Sequence, residues 1–359
     1  MGKKWESLLL VVALSMSLLI LPGLFGCQAE EPSDTTPAAT TTPTTTAPSS
    51  DEVYTLVYVH SLPASDFTVP LMKESLDRIT VESGGRLQFQ FLTEGEHPYS
   101  GSDMLNIISK GLADMGETED VYISGTDPAL CPLALPFIGG TYDVSRAALE
   151  QMRGEIFEPL LNEKYGVSIV SDFLTPGEAV YATRFLDSFD ALKGTKIRVW
   201  NKETADFITA IGGDPITVSF SELYSSLQLG VVDGALTGIS AACDEGLYEV
   251  VKYTTWWDWC FPWDFTVINQ DSLDSLPPDL QEILIRGMKE AGEYQQERYL
   301  AATSDYVVKG MVKYGVKFAA ISPQFRSDIQ ARMSTIYSDW EARAGANGTR
   351  ALEIFESLQ

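Results

Sequence analysis

Short runs of alternating apolar and polar residues take turns with longer runs of helical spacing along most of the chain. Residues 53–60 (VYTLVYVH) alternate and are rich in β-branched and aromatic side chains, which predicts a strand. Residues 67–83 then place Val69, Leu71, Met72, Leu76 and Ile79 on one helical face, and Gly84-Gly85 stops the helix. Residues 87–92 (LQFQFL) predict the next strand, 103–112 a short helix and 113–116 a strand. Further on, 167–173 and 195–200 (TKIRVW) read as strands. Helices are predicted over 204–211, closed by Gly212-Gly213, and 220–229, closed by Gly230, with a short buried strand at 231–235. Pro277-Pro278 opens a long helix over 279–314, and 323–345 forms a last amphipathic helix. Strands separated by helices of this length argue for βα units and mostly parallel sheets. No period of about 20 to 50 residues is visible, which excludes a solenoid. The simplest architecture is α/β, with two lobes and a cleft between them.

The N-terminus breaks this alternation. Lys3 and Lys4 precede an apolar run over 8–21, then Leu24-Phe25-Gly26-Cys27. A basic start, an apolar core and a small residue before the cut describe an export signal over 1–26. The run is shorter than a membrane span of roughly 20 residues. Leu24-Phe25-Gly26-Cys27 resembles a bacterial lipobox, which would lipidate Cys27; an uncleaved signal anchor is the other reading. Residues 28–50 are mostly Thr, Pro, Ala and Ser, with no large apolar side chain. Such a stretch cannot bury enough surface to fold and reads as a tether, so 27–52 is lipidated cysteine plus linker. The expected location is therefore extracytoplasmic, anchored by lipid in the periplasm or on the outer face of the cytoplasmic membrane.

Composition narrows the function. The chain has 359 residues, with 50 Asp and Glu against 25 Lys and Arg, a net charge of −25. That excludes nonspecific nucleic-acid binding as a default. Apolar content of 45% and aromatic content of 11% exclude a largely disordered chain. Two histidines leave little for His-based catalysis or a His-rich metal site. Cys131, Cys243 and Cys260 remain beyond Cys27 and match no zinc spacing. Cys243 and Cys260 are a candidate pair, and buried thiols are an equal alternative. There is no Gly-x-Ser-x-Gly elbow, His-Glu-x-x-His or phosphate loop, and Asp271 with Asp274 does not complete a calcium loop. An enzyme is therefore not expected.

Residues 192–234 carry a family resemblance. Leu192-Lys193-Gly194 leads into Lys196-Ile197-Arg198-Val199, a helix ends in Gly212-Gly213 before Pro215, and Phe220-Ser221-Glu222-Leu223-Tyr224 precedes Gly230-Val231-Val232-Asp233-Gly234. With Gly111-Leu112-Ala113-Asp114-Met115, Leu135-Pro136-Phe137 and Tyr248-Glu249-Val250-Val251-Lys252-Tyr253, this resembles the DctP-type solute-binding component of TRAP transporters over about residues 53–345. The resemblance implies a periplasmic-binding type II clamshell, each lobe a sheet flanked by helices, with crossing strands and a long C-terminal helix. Expected lobes are 53–175 plus 264–303, and 176–263 plus 304–359. It also implies capture of a small organic carboxylate and delivery to membrane permease subunits, with no cofactor. A ligand-binding subunit of a membrane sensory system is the alternative output.

The resemblance assigns Arg198 to the ligand carboxylate. The chemistry agrees, because a guanidinium meets a carboxylate with a planar fork of donors and stays charged when desolvated. A charge of −25 does not exclude an anion, since screening limits repulsion to about 8 Å at physiological salt. Thr237 stands where relatives often carry Asn. Glu178 lies near the place of a second arginine found in some relatives, and Arg184 reads as structural, which argues against a double-arginine clamp. Trp256, Trp257, Trp259, Phe261 and Trp263 cluster in eight positions. As an alternating strand, they would put Trp257, Trp259, Phe261 and Trp263 on one face. Trp257, Trp259 and Trp200 are candidate walls for a ligand with an aromatic or bulky apolar body, the remainder packing at the lobe junction. Tyr224, His60 and Tyr99 are further candidates. Glu222 and Asp114 read as structural. No metal ligands are named.

Overall fold

The computed structural model describes residues 51–359, so the export signal, Cys27 and nearly all of the tether lie outside the described residues. Eleven strands form two sheets. They are β1 (Tyr54–Val59), β2 (Leu87–Leu92), β3 (Met115–Glu119), β4 (Val167–Leu174), β5 (Ala179–Ala182), β6 (Lys196–Val199), β7 (Asp214–Thr217), β8 (Gly234–Thr237), β9 (Tyr253–Trp256), β10 (Trp263–Asn269) and β11 (Lys317–Ala320). The first sheet has the order β2-β1-β3-β10-β4, and the second β11-β9-β5-β8-β6-β7. In the first, β1 runs parallel to β2 and β3, while β10 runs antiparallel to β3 and β4. In the second, β6 runs parallel to β7 and β8, while β5 runs antiparallel to β8 and β9. The fold is thus α/β with two sheets and a long C-terminal helix, as expected.

Three connections cross between the sheets: residues 175–178 from β4 to β5, residues 257–262 from β9 to β10, and the helix Pro278–Tyr306. That helix packs on Thr68–Glu82 and β4 and also on Ile239–Asp244. It is shorter than predicted and continues as wider π-type turns over Val307–Val312 before reaching β11. The C-terminal helix also departs from expectation. The chain forms Pro323–Gln330 and Ser334–Leu358, separated by a turn in which Arg332 and Met333 bond back to Ile329 and Gln330, and the second segment is itself kinked at Gly345, whose φ is 64°. Ser334–Leu358 packs against Tyr142–Met152 and against Lys202–Ala210, and Trp340 Nε1 donates to the Pro128 carbonyl at 2.9 Å.

The aromatic stretch is a correction. It is a connection, not one strand, since β9 ends at Trp256 and β10 starts at Trp263. Asp258, at φ 51°, turns the chain out of extended geometry, a conformation Asp tolerates better than most residues. Its backbone N–H bonds to the Glu178 carbonyl at 2.9 Å. The two crossing segments touch so closely that a Cβ on Gly177 would sit 1.5 Å from Asp258 Oδ1. Trp257, Trp259, Phe261 and Trp263 are nonetheless buried, inside one apolar cluster that reaches from Val59 and Leu174 to Ile197 and Leu236. This packing makes the crossing a stiff joint rather than a loose linker. Among the described residues no disulfide forms: Cys131 and Cys260 are buried thiols and Cys243 is a half-buried one. No described helix is long and apolar enough to cross a membrane.

Candidate functional site

Parallel strands of open α/β sheets gather ligand groups beyond their carboxyl ends, where loops turn into helices. Here Glu119 ends β3, Trp200 follows β6, and Thr237 ends β8. These ends face a narrow cavity of about 60 Å³, partly open to solvent. Thr175 and Glu178 enter from one crossing segment, Pro262 from another, and Tyr299 from the long helix. The cavity therefore draws on both sheets and on all three connections.

Arg198 is the cation of this lining and is 2% exposed. Strand β6 lies between β7 and β8, which places two backbone carbonyls beside the side chain. Nε donates to the Val218 carbonyl at 3.0 Å and Nη1 to the Leu236 carbonyl at 3.3 Å. Nη2 has no partner among the described residues. Burial lowers the guanidinium's pKa, opposed by Tyr122, Glu178 and Glu119, yet arginine stays charged under any ordinary condition. The guanidinium carbon lies 5.3 Å from the Trp200 ring centre, a cation–π separation. Trp200 stacks on Trp259 at 5.8 Å and Trp259 on Phe207 at 5.2 Å, so the ring beside Arg198 is backed into the core. Trp200 Nε1 is a second buried donor without a partner. An anchored guanidinium with one unspent nitrogen, beside an unspent indole N–H, offers the donors that a carboxylate accepts.

The first sheet contributes the opposite charge. Glu119 and Asp264 line the cavity, with Asp66 at the start of Thr68–Glu82 and Glu178 ahead of β5. Burial pushes Glu178 up to about 8, with Arg198 opposing. It raises Asp264 and Glu119 well above the carboxylate range, and Glu117 raises both further. Asp66 is raised by burial too, although its Oδ1 accepts the Thr68 N–H at 2.8 Å and the Thr68 hydroxyl at 2.5 Å. Carboxyl oxygens of Glu117, Glu119 and Asp264 come within 4.8 Å of one another, a grouping the sequence reading did not name.

The other sequence candidates fall in three places. Arg198, Trp200 and Thr237 line the cavity together. Trp257 and Trp259 stand behind it: Trp257 Nε1 donates to the Leu186 carbonyl at 3.0 Å and its ring meets Phe207 edge-on. His60 is fully buried, with Nδ1 3.1 Å from Glu117 Oε2, and Tyr99 stacks on His97. Tyr224 points to the periphery, donating to Glu249 at 2.9 Å. Arg184 is exposed and donates to the Ala191 carbonyl at 3.3 Å. Asp114 receives the Val57 N–H and the Ser272 hydroxyl, both at 2.7 Å. The sequence reading did not select Asp66, Glu119, Tyr122, Phe220, Asp264 or Tyr299. Asp66, Glu119, Tyr122, Asp264 and Tyr299 give a weak signal because each is far in sequence from Arg198 and acidic residues are abundant, whereas Phe220 lies within the quoted motif.

The lobes also touch across the cleft. Asn201 Nδ2 donates to the Val121 carbonyl at 2.9 Å, and Asp244 Oδ2 accepts the Phe67 N–H at 3.2 Å. Asn201 also caps Lys202–Ala210 through its Oδ1, so one side chain fixes a helix start and the rim contact.

Comparison with known proteins agrees with this geometry. The sequence profile of the bacterial extracellular solute-binding proteins, family 7 (DctP), matches residues 58–343. The 2,3-diketo-L-gulonate-binding periplasmic protein YiaO of Escherichia coli is 26% identical over 217 residues, spanning 60% of this chain and 65% of its own. A Bordetella pertussis extracytoplasmic solute receptor binding pyroglutamic acid superposes with a TM-score of 0.79 at 22% identity, covering 85% of this chain and 100% of its own. A Roseobacter denitrificans TRAP periplasmic solute-binding protein with bound β-D-glucuronate gives a TM-score of 0.78 at 20% identity, covering 85% and 100%. The chain belongs to the DctP family of TRAP extracytoplasmic solute-binding proteins, a non-enzymatic family.

Proposed function

We propose that this protein captures a small organic carboxylate in the cavity between its sheets and hands it to the membrane permease of a TRAP-type transporter. One observation carries the reading: Arg198 is buried in the cavity wall, held by two carbonyls, with Nη2 unspent. Trp200 Nε1 and the Thr237 hydroxyl supply neighbouring polar contacts, while Leu62, Val121, Phe220 and Pro262 exclude water from an apolar or aromatic ligand body. Trp257 and Trp259 serve the ligand indirectly, by stiffening Trp200 from behind. Ligand contacts to both sheets favour the arrangement in which Asn201 and Asp244 bridge the rim, and a permease would read that arrangement. The relatives that bind pyroglutamate, glucuronate and diketogulonate support an acid ligand. The lipobox-like Leu24-Phe25-Gly26-Cys27 and the tether after it support lipid anchoring at the outer face of a membrane. A thermal-shift screen against keto acids, dicarboxylates, sugar acids and aromatic acids tests the reading, with Arg198→Ala alongside. Binding to the native state raises the midpoint by mass action. The expected result is a shift with one acid class that the variant loses; a shift the variant keeps would remove Arg198 as the anchor.

A further inference from the structure

The cavity holds more acid than an ordinary carboxylate ligand explains. Four carboxyl groups line it, Asp66, Glu119, Glu178 and Asp264, around the single guanidinium of Arg198. Asp66 and Glu178 are each 7% exposed and Asp264 is 3% exposed. A ligand carrying only negative charge avoids repulsion here only while burial keeps these carboxyls protonated. Each carboxyl would then have to stay protonated at the moment of binding.

A second observation points the same way independently of charge counting. Glu178 Oε2 is buried in the lining and accepts no hydrogen bond among the described residues. Just behind the lining, Glu117 is served within the protein: its Oε2 accepts the Ser61 N–H at 3.2 Å and the Ser61 hydroxyl at 2.7 Å, and its carboxyl shares a hydrogen bond with Asp264. Buried acceptors are ordinarily paired, so the missing donor belongs to whatever occupies the cavity. Arg198 Nη2 presents the complementary vacancy, a donor without an acceptor. The same cavity thus offers two unmet donors, Arg198 Nη2 and Trp200 Nε1, and one unmet acceptor, Glu178 Oε2.

We propose that the ligand is dipolar, an amino acid or similar ammonium-bearing acid whose carboxylate meets Arg198 and whose nitrogen faces Glu119, Asp264 and Glu178. This rests on the carboxylate reading above and names its substrate class. An ammonium carries three donors, which suits acceptors spread over β3, β10 and the start of β5. A calcium-like ion wants six to eight oxygens converging on one point, and among the described residues only Glu117, Glu119 and Asp264 gather so closely. Glu117 is already committed through one oxygen to Ser61. The neighbouring apolar lining, Val121, Phe220 and Pro262, would face an uncharged side chain.

Matched pairs of probes test this on the full chain, stripped of carried-over solute. L-leucine is set against 4-methylpentanoate, L-phenylalanine against 3-phenylpropanoate, and 4-aminobutanoate against butanoate. Each is titrated calorimetrically into the parent protein, Glu178→Gln, Glu119→Gln and Arg198→Ala, with and without calcium. The expected result is that at least one amino acid binds 30-fold or more tightly than its partner lacking nitrogen. The glutamine variants should narrow that ratio, and Arg198→Ala should abolish binding of both members. Equal or tighter binding of the nitrogen-free acids would overturn the dipolar assignment while leaving the carboxylate reading intact. Nitrogen-free acids that bind only with calcium would overturn it in favour of a bridging ion. Silence from every pair, while an acid of the thermal-shift panel binds in an Arg198-dependent way, would overturn the dipolar assignment and leave the carboxylate reading standing.

Discussion

The two walls of the cavity are built on similar strand ends yet carry opposite chemistry. The second sheet presents Arg198, Trp200 and Thr237 from β6 and β8; the first presents Glu119 and Asp264 from β3 and β10. On the second wall, the charge is held by backbone carbonyls and lies against a ring that is itself stacked into the core. On the first, carboxyls crowd one another, and burial raises their pKa values. The lesson is that the overall charge of −25 says little about the site. What matters is that one anchored cation faces a group of buried carboxyls across the same cavity.

The comparison breaks first at its foundation. Trp259 anchors the second wall, and Trp259→Ala would leave a cavity in the middle of the largest apolar cluster. The expected destabilisation is about 3–5 kcal/mol by denaturant unfolding. Trp200→Ala should cost much less stability, because its ring is half-exposed at the cavity, while weakening ligand binding more. Equal stability losses for the two would mean that Trp200 is core rather than lining.

Next comes the cation itself. Arg198→Ala should cost about 2–5 kcal/mol of binding energy, the usual loss when one partner of a buried charged pair is removed. Arg198→Lys should recover only part of it, since an ammonium cannot hold the Val218 and Leu236 carbonyls while reaching the ligand as a fork. Calorimetric titration separates the three proteins. Full activity of the lysine form would reduce the arginine to a point charge.

The first wall is sharpened by pH. Glu178, in the lining on a crossing segment, and Asp120, buried just after β3 outside the lining, are each pushed up to about 8, chiefly by burial. In the folded state they hold protons that the unfolded chain releases near pH 4. Their stabilising contribution is therefore complete below about pH 4 and is lost as pH rises through 8. Each group holds one more proton in the folded chain across that window, so the unliganded protein should lose several kcal/mol between pH 5 and pH 8, seen as a falling melting temperature. Glu178→Gln should flatten part of that slope. A melting temperature that climbs steadily from pH 5 to 8 would show these carboxyls to be paired rather than desolvated.

The smallest effect concerns the rim where the walls meet. Asn201→Asp keeps a cap on Lys202–Ala210 but loses the amide donor to the Val121 carbonyl. Removing that one hydrogen bond should cost about 0.5–1.5 kcal/mol, read in stopped-flow as faster ligand dissociation with little change in association. An unchanged off-rate would mean that the Asn201 contact does not hold the lobes together over bound ligand.

Much of the fold was legible because hydrophobic period and burial agree. Strand β1, the helix Thr68–Glu82 and strand β2 fall within a residue or so of the reading, since each has one clean apolar face. Strand β7 (DPIT) was missed; it is four residues long, contains Pro215 and lies at a sheet edge. The 257–262 crossing was misread as strand because aromatic alternation persists there while Asp258 turns the backbone away. Arg198 was found through its motif and a chemistry that few residue types can supply. The acid wall was not, because Asp66, Glu119, Glu178 and Asp264 come together only in the tertiary structure, and an acidic chain gives no single carboxylate any prominence. Trp259 shows the converse: an aromatic cluster marks a neighbourhood, and only packing tells the ring at the cavity from the ring behind it.

The most direct measurement is a crystal structure of the protein with the acid that gives the largest thermal shift. The account predicts a ligand carboxylate oxygen about 2.7–2.9 Å from Arg198 Nη2, in the space bounded by Trp200 and Thr237. A bound ligand whose carboxylate lies elsewhere, with Nη2 still unpartnered or satisfied by Glu178, would contradict it.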